Sequence, residues 1–339
     1  MAVSGGTVTA AGGERLDAFM ARAVAAYYAG RDPFGAKGDF ITAPEISQGF
    51  GECLGLWAAV TWQLMGSPSP VLLVELGPGR GTLMADALRA AAMVPAFRAA
   101  LRVHFVEQSA PLRAAQAAKV PDAHWHDSLA EVPPGPALIL ANEFLDALPI
   151  RQFVRRGAGW AERWVVNGAF EERPGDHPAL PAAAPQGAVQ EVCEPALAVA
   201  RALAARFAFQ PGAALLVDYG PAESALGDSL QAMRAHGFAD PLAEPGSVDV
   251  TAHVDFAAVA RAARAAGAAA HGPLPQGLLL QRLGLAARAA LLARANPRRA
   301  AEVMAGAQRL MAPEAMGQLF KALCLCHAGL PTPPGFEAA

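Results

Sequence analysis

The 339-residue sequence predicts an α/β fold built on a mainly parallel sheet, with an N-terminal helical cap and an inserted hairpin and loop lobe. Three observations carry this expectation. From residue 70 onward, short apolar runs alternate with amphipathic stretches, the pattern of parallel strands joined by helical crossovers. The first run, VLLVELGPGRGT (71–82), passes from strand through a glycine-rich turn toward a helix. Polar residues also gather at the ends of successive strands, where open α/β sheets meet their ligands.

In chain order, residues 15–29 carry apolar positions at helical spacing, and SQGFGECLGLWAAVTWQLM (47–65) reads as a second, strongly apolar helix. The loop between them is rich in Gly and Asp. Its end reads either as a capping box, with Thr42 as N-cap, Glu45 three residues on and Pro44 in the first turn, or as a ligand-facing segment. Strands are expected near 70–76, 101–106, 136–141 and 212–218, with a short one at 123–126, and helices near 81–93, 109–119 and 191–206. Between the fourth and fifth strands, IRQFVRRGAGWAERWVVNG (150–168) reads as a hairpin about a Gly-Ala-Gly turn, and the Pro/Ala-rich 173–187 as a loop. After 218 comes an irregular stretch to about 252, then Ala-rich helices, then a last strand in QLFKALCLCHAG (318–329). No repeat or linker divides the chain. Residues 1–69 therefore read as a helical cap with its covering loop, and 70–339 as one integrated domain with insertions at about 150–190 and 221–252.

The 27 basic and 30 acidic residues give a formal charge of -3, and no Lys/Arg run offers a footprint for a nucleic-acid backbone, so no nucleic-acid partner is expected. The four cysteines form neither a zinc spacing nor a disulfide framework, and no metal is expected. Cys324-x-Cys326 falls in the last predicted strand, with its thiols expected on opposite faces. Arg261, Arg264, Arg282 and Arg288 interrupt the Ala-rich C-terminal stretches, so no membrane span is expected. The first residues lack a basic segment leading into an apolar one, and Glu14 and Asp17 disfavour an Arg-rich leader, which points to the cytoplasm. The composition is silent on oligomeric state.

A strand, a glycine turn and a helix bring backbone N–H groups against a ligand. A dinucleotide fingerprint would place Gly or Ala where Thr82 stands, and Glu75 just ahead of Gly77 would repel a pyrophosphate. A cationic ligand suits that carboxylate better. S-adenosylmethionine, with an ammonium, a sulfonium and no phosphate, is such a ligand. Glu75-x-Gly77-x-Gly79-x-Gly81 resembles the first motif of class I methyltransferases, whose fold is Rossmann-like. The next strand ends at Glu107, placed to take both ribose hydroxyls, or else an exposed strand-end carboxylate. Asp127 and Ser128 follow the third strand, either beside the adenine amino group or as a helix N-cap.

The fourth strand ends in LILANEFLDALPI, which brings out Asn142, Glu143 and Asp146. Two acids three apart at the start of a helical turn share one side and can converge on a guanidinium, or else they cap a helix. Asp218 and Tyr219 at the next strand end, with Asp249 and His253 in the following loop (which also holds His236, Asp240 and Thr251), form a candidate substrate mouth; the histidines read equally as structural ones.

Five blocks in order, GDFITAPEISQGFGE (38–52), VELGPGRGTLMAD (74–86), ANEFLDALPIRQF (141–153), VDYG (217–220) and DPLAEPGSVDVTAHVDF (240–256), resemble the MidA-like methyltransferases nearly end to end. The resemblance implies a class I methyltransferase fold, S-adenosylmethionine as cofactor, and Gly38, Asp39, Thr42 and Glu45 closing over it. Mitochondrial members of that family symmetrically dimethylate an arginine on a subunit of NADH dehydrogenase, so the resemblance also implies an arginine-bearing protein substrate and a place in complex I assembly. A cofactor-binding assembly factor with weak or no catalysis, and a small-molecule methyltransferase, stand as alternatives.

Overall fold

The computed structural model describes residues 12–30, 41–234 and 237–337. The short β1 (Glu14–Arg15) leads into α1 (Leu16–Gly30), followed by α2 (Ala43–Ile46) and α3 (Gln48–Leu64). The alternating region holds β2 (Val71–Leu76), α4 (Thr82–Ala91), α5 (Pro95–Ala100), β3 (Leu101–Val106), α6 (Ala110–Lys119), β4 (His124–His126) and β5 (Ala137–Asn142). Four strands follow, β6 (Arg151–Arg156), β7 (Gly159–Val166), β8 (Ala169–Gly175) and β9 (Val189–Val192), then α7 (Glu194–Phe209) and β10 (Gly212–Tyr219). The chain continues through β11 (Gln231–Arg234), β12 (Gly237–Ala239), β13 (Asp249–Thr251), α8 (Phe256–Ala265), β14 (Ala269–Pro275), α9 (Gln276–Arg282), α10 (Leu285–Ala295), α11 (Ala300–Met311) and β15 (Phe320–Cys326).

Seven strands make the central sheet in the order β14-β15-β10-β5-β2-β3-β4. From β10 to β4 every pairing is parallel, while β15 and β14 add antiparallel at one edge. The sheet is covered on both faces, which explains the uninterrupted apolar runs of β2 and β5. Side chains alternate between the two covers. Leu73, Leu138 and Leu140 join the core beneath α3 and α4, and Leu72, Val74 and Ile139 join the one beneath α7 and α8. Helix α3 lies close on α4 because Gly55 presents no side chain there; a Cβ would stand 2.5 Å from the Ala87 carbonyl oxygen.

The inserted strands form a second sheet with β1, in the order β1-β7-β6-β9 with β8 on β7, and a third sheet has the order β12-β11-β13. Helix α1 turns Leu16, Phe19, Met20 and Ala23, its i, i+3, i+4, i+7 stripe, onto Ile150 and Val165 of the insertion and Val250 of β13.

Several expectations change. The 150–168 hairpin is real but gains β8 and β9. Residues 191 and 192, expected in a helix, pair with β6, so α7 starts only at Glu194. The stretch to 252 contains β11, β12 and β13, each three or four residues long and too short for periodicity to register. The Ala-rich C-terminal region includes β14. Cys324 and Cys326 face one core layer together, as residues two apart on a strand must, so the expectation of opposite faces is wrong.

Candidate active site

Strand β2 carries Glu75 to the C-terminal edge of the sheet, and the turn after it has Gly77, Gly79 and Gly81 at φ of 61°, 51° and 73°. This left-handed path suits glycine. At Gly77 a Cβ would also stand 2.9 Å from the Phe144 ring, so the turn lies directly against the end of β5. Glu75 is buried, with its Oε2 lacking any hydrogen-bond partner. Burial pushes its carboxyl well above the usual range, against the Met84 backbone N–H at the start of α4.

Beyond Asn142 the chain does not enter the expected helical turn. Glu143 takes a left-handed φ of 50°, costly for a side-chain-bearing residue, and a non-helical turn follows. Asp218 of β10 holds that turn: its Oδ2 accepts from the backbone N–H of Phe144 (3.1 Å), Leu145 (2.9 Å) and Asp146 (3.2 Å), and its Oδ1 from that of Tyr219 (2.9 Å). With no helix there, the capping reading of Glu143 and Asp146 falls.

Glu143 Oε1 accepts from the backbone N–H of Ala43 (3.2 Å) and from Asn142 Nδ2 (3.0 Å). Burial, then the charge of Asp146, pushes the Glu143 carboxyl up to about 7. Burial likewise pushes Asp146 up to about 6, against a hydrogen bond from Tyr219. Asp218 is raised by burial and by both of these neighbours, while its backbone donors favour the ionised form. Three carboxyl groups thus share one corner of the site.

A cavity of about 320 Å³ opens beside them. Glu75, Gly77, Gly79, Asn142, Glu143 and Asp146 line its floor, and Thr42, Glu45, Tyr219, Asp249 and His253 its walls. The Thr42 side chain makes no capping bond, so the capping box is not formed. Instead Glu45 Oε1 accepts from Thr82 Oγ1 at 2.5 Å, tying α2 to the first residue of α4. The Tyr219 and Thr251 hydroxyls are hydrogen-bonded to each other at 2.7 Å, and the Tyr219 ring meets that of His253 edge-on at 5.5 Å between centroids.

Other predicted residues stand back from the cavity lining. Glu107 is half-buried and accepts from the Ser109 backbone N–H (2.8 Å). Gly81 packs on Gln116. Asp127 is an exposed partner of Arg113 at 2.5 Å, and Ser128 precedes a one-turn helix without capping it through its side chain. Asp218 acts beneath the site, through the backbone it holds. Gly38, Asp39 and His236 lie outside the described residues. Among the described residues, no group of three or more His, Cys, Asp or Glu is arranged to hold a metal ion, and no helix is long and apolar enough to cross a membrane.

Three buried acceptors at the cavity, Glu75 Oε2, Asn142 Oδ1 and Asp146 Oδ1, have no protein donor. Buried acceptors call for donors. An ammonium supplies such donors, and the positive charge of a sulfonium suits the carboxyls beside it, whereas a pyrophosphate offers neither, so the residues present fit S-adenosylmethionine.

A family model for S-adenosyl-L-methionine-dependent methyltransferases matches residues 53–274. The chain is 38% identical, over 89% of its length and 78% of the relative's, to the mitochondrial protein arginine methyltransferase NDUFAF7 homolog of Drosophila melanogaster. It is 35% identical to Homo sapiens NDUFAF7, covering 88% of this chain and 76% of that one. A protein from Burkholderia thailandensis, solved bound to S-adenosyl-homocysteine, is 27% identical with a TM-score of 0.80, covering 98% of this chain and 90% of that one. The chain belongs to the S-adenosyl-L-methionine-dependent methyltransferase family.

Two residues of this methyltransferase site were missed from sequence. Tyr28, at the end of α1, lines the cavity, donates to Asp249 Oδ1 (3.5 Å) and accepts from Ser109 Oγ through its carbonyl (2.8 Å). Gln116 is wholly buried, donating to the Gly79 carbonyl (2.7 Å) and Glu107 Oε2 (3.3 Å) and accepting from Trp125 Nε1 (2.8 Å). Its signal was available: an amide one turn after Leu112 on the buried face of α6 must find polar partners.

Proposed function

We propose that this methyltransferase modifies the guanidinium of an arginine in a protein substrate, with Glu143 and Asp146 holding that group and Asn142 orienting Glu143. The observation that carries the reading is the pair of raised carboxyls, Asp146 buried and Glu143 half-buried, on a left-handed turn at the cavity floor. A guanidinium keeps its proton in proteins and presents a planar fork of donors that carboxylates match. Its arrival would favour the ionised forms of both acids. S-adenosyl-L-methionine supplies an electrophilic methyl group on sulfur. As the N–CH₃ bond forms and the S–CH₃ bond breaks, the guanidinium's surplus proton passes to a carboxylate, a task suited to Glu143 near neutrality. Holding the nitrogen in line is where the chain's residues contribute most, since orientation in well-placed systems contributes about 7–11 kcal/mol.

On the cofactor side, Glu75 would receive the ammonium end, the backbone at Gly77, Gly79 and Gly81 would allow close approach, and Glu107, held by Gln116, would take the ribose hydroxyls. Asp127 and Ser128 would flank the adenine, with Thr42 and Glu45 closing over the site. Tyr219, Asp249 and His253 would form the substrate mouth, braced by Asp218. The names of its relatives support an arginine target, and the resemblance extends this to symmetric dimethylation of a respiratory NADH dehydrogenase subunit.

The test is incubation of the purified protein with radiolabelled S-adenosylmethionine and lysate of its own cell, followed by mass spectrometry of methylated peptides. Methylarginine formed by the wild type and lost in Asp146→Asn is the expected result. Cofactor binding without label on any arginine would overturn the reading.

A further inference from the structure

A second cavity, of about 540 Å³, lies behind the wall made by His253 and Leu319, residues that line both cavities. Nothing in the proposed chemistry uses it. Its apolar lip includes Leu226 and Leu319, both left exposed. Lys321 of β15 projects into it and is only 8% exposed. Its Nζ donates to the carbonyls of Gln318 and Leu319, and among the described residues it forms no ion pair.

A buried ammonium ordinarily has a carboxylate partner. The two acids of this cavity are engaged elsewhere. Glu191 Oε1 accepts from Gln152 Nε2 (2.7 Å) and the Ser229 backbone N–H (2.9 Å), and its Oε2 from Ser229 Oγ. Asp255 Oδ1 accepts from Ser224 Oγ (2.8 Å) and caps α8 through the Ala258 N–H (2.8 Å). Lys321 therefore has a third N–H and an uncompensated charge facing the cavity, next to a site whose own lining is strongly acidic.

We propose that this second cavity is a substrate subsite in which Lys321 receives a carboxylate of the polypeptide whose arginine occupies the acidic cavity. This rests on the arginine reading and adds a rule to it: the substrate carries opposite charges a short distance apart along the chain, an arginine for Glu143 and Asp146 and a carboxylate for Lys321. The carboxylate comes either from an Asp or Glu side chain or from a chain terminus.

The test is equilibrium binding, by fluorescence anisotropy, of end-capped peptides with one central arginine to the protein in the presence of S-adenosyl-homocysteine. Glu or Gln is placed at each of about five positions on either side, and a further set ends in a free or an amidated carboxyl. At one offset, or for the free terminus alone, the acid is expected to bind the wild type at least about tenfold more tightly than its neutral counterpart, roughly 1.4 kcal/mol. That preference should shrink below about twofold in Lys321→Gln and persist in Lys321→Arg. The comparison of Glu with Gln peptides on the wild type requires no altered protein, so a poorly folded variant does not spoil it. Equal affinities at every offset, or a preference unchanged in Lys321→Gln, would overturn the subsite. Peptides bound through Lys321 but never methylated would overturn the arginine chemistry and leave the subsite standing. Peptides methylated without any charge preference would do the reverse.

Discussion

Asp218 Oδ2 lies 3.2 Å from the backbone nitrogen of Asp146, so that one buried acid fixes the position of another. The same oxygen gathers the N–H groups of Phe144 and Leu145, and this carboxylate is what keeps residues 143–146 out of a helix. Removing it in Asp218→Ala would leave four backbone donors, two of them buried, without their acceptor. The expected loss is on the order of 3 kcal/mol in stability by urea unfolding, with methylation reduced more than S-adenosyl-homocysteine affinity, because the displaced groups are Glu143 and Asp146.

Both acids sit above their ordinary range, Glu143 at about 7 and Asp146 at about 6. If they act ionised, kcat/KM measured with a methylatable peptide should rise between about pH 5 and about pH 8 and then level off. Glu143→Gln should remove the upper part of that rise, leaving the step that belongs to Asp146, and take away most of the activity.

Stability should run the other way. A carboxyl whose folded value lies above its ordinary 4.5 binds more protons folded than unfolded, so its contribution is fully present below 4.5 and lost as pH rises toward about 7. Urea unfolding should show this loss, of up to about 3 kcal/mol for Glu143. Glu143→Gln should flatten the decline and be more stable than the wild type at about pH 8. A variant equally stable or weaker there would show that the acid is not held against its burial.

Gly77→Ala combines a left-handed φ of 61° with a Cβ 2.9 Å from the Phe144 ring. Calorimetry should show S-adenosyl-homocysteine affinity falling at least about tenfold, with a stability loss of about 1–2 kcal/mol.

Gln116→Leu would strip the Gly79 carbonyl, Glu107 and the Trp125 indole of their shared partner. A loss of about 1–3 kcal/mol is expected, accompanied by weaker cofactor binding. Unchanged affinity in a folded variant would mean that Gln116 holds the sheet edge and nothing more.

How far the sequence reveals this molecule depends on the range of the interactions. Strands β2, β3, β5 and β10 stood out because two-sided burial demands long apolar runs, and the acids at their ends were legible because parallel strands bring their C-terminal ends together. The turn at 143–146 was not legible, since its shape is set by Asp218, 72 to 74 residues away. Glu45 looked like the partner of Thr42 because they are neighbours, yet its partner Thr82 is 37 residues on. Tyr28 escaped for the same reason: helical spacing orients α1 but does not say what it covers, and Asp249 lies 221 residues away.

The central sheet ends in two poor edges. β4 is three residues long, and on the far side β14 carries Pro273 and breaks register between His271 and Leu274. A foreign strand laid along either side would find few hydrogen bonds in phase. For a chain with 53% hydrophobic residues, this is protection against runaway stacking of one molecule on the next, built into the places where the ladder of hydrogen bonds stops.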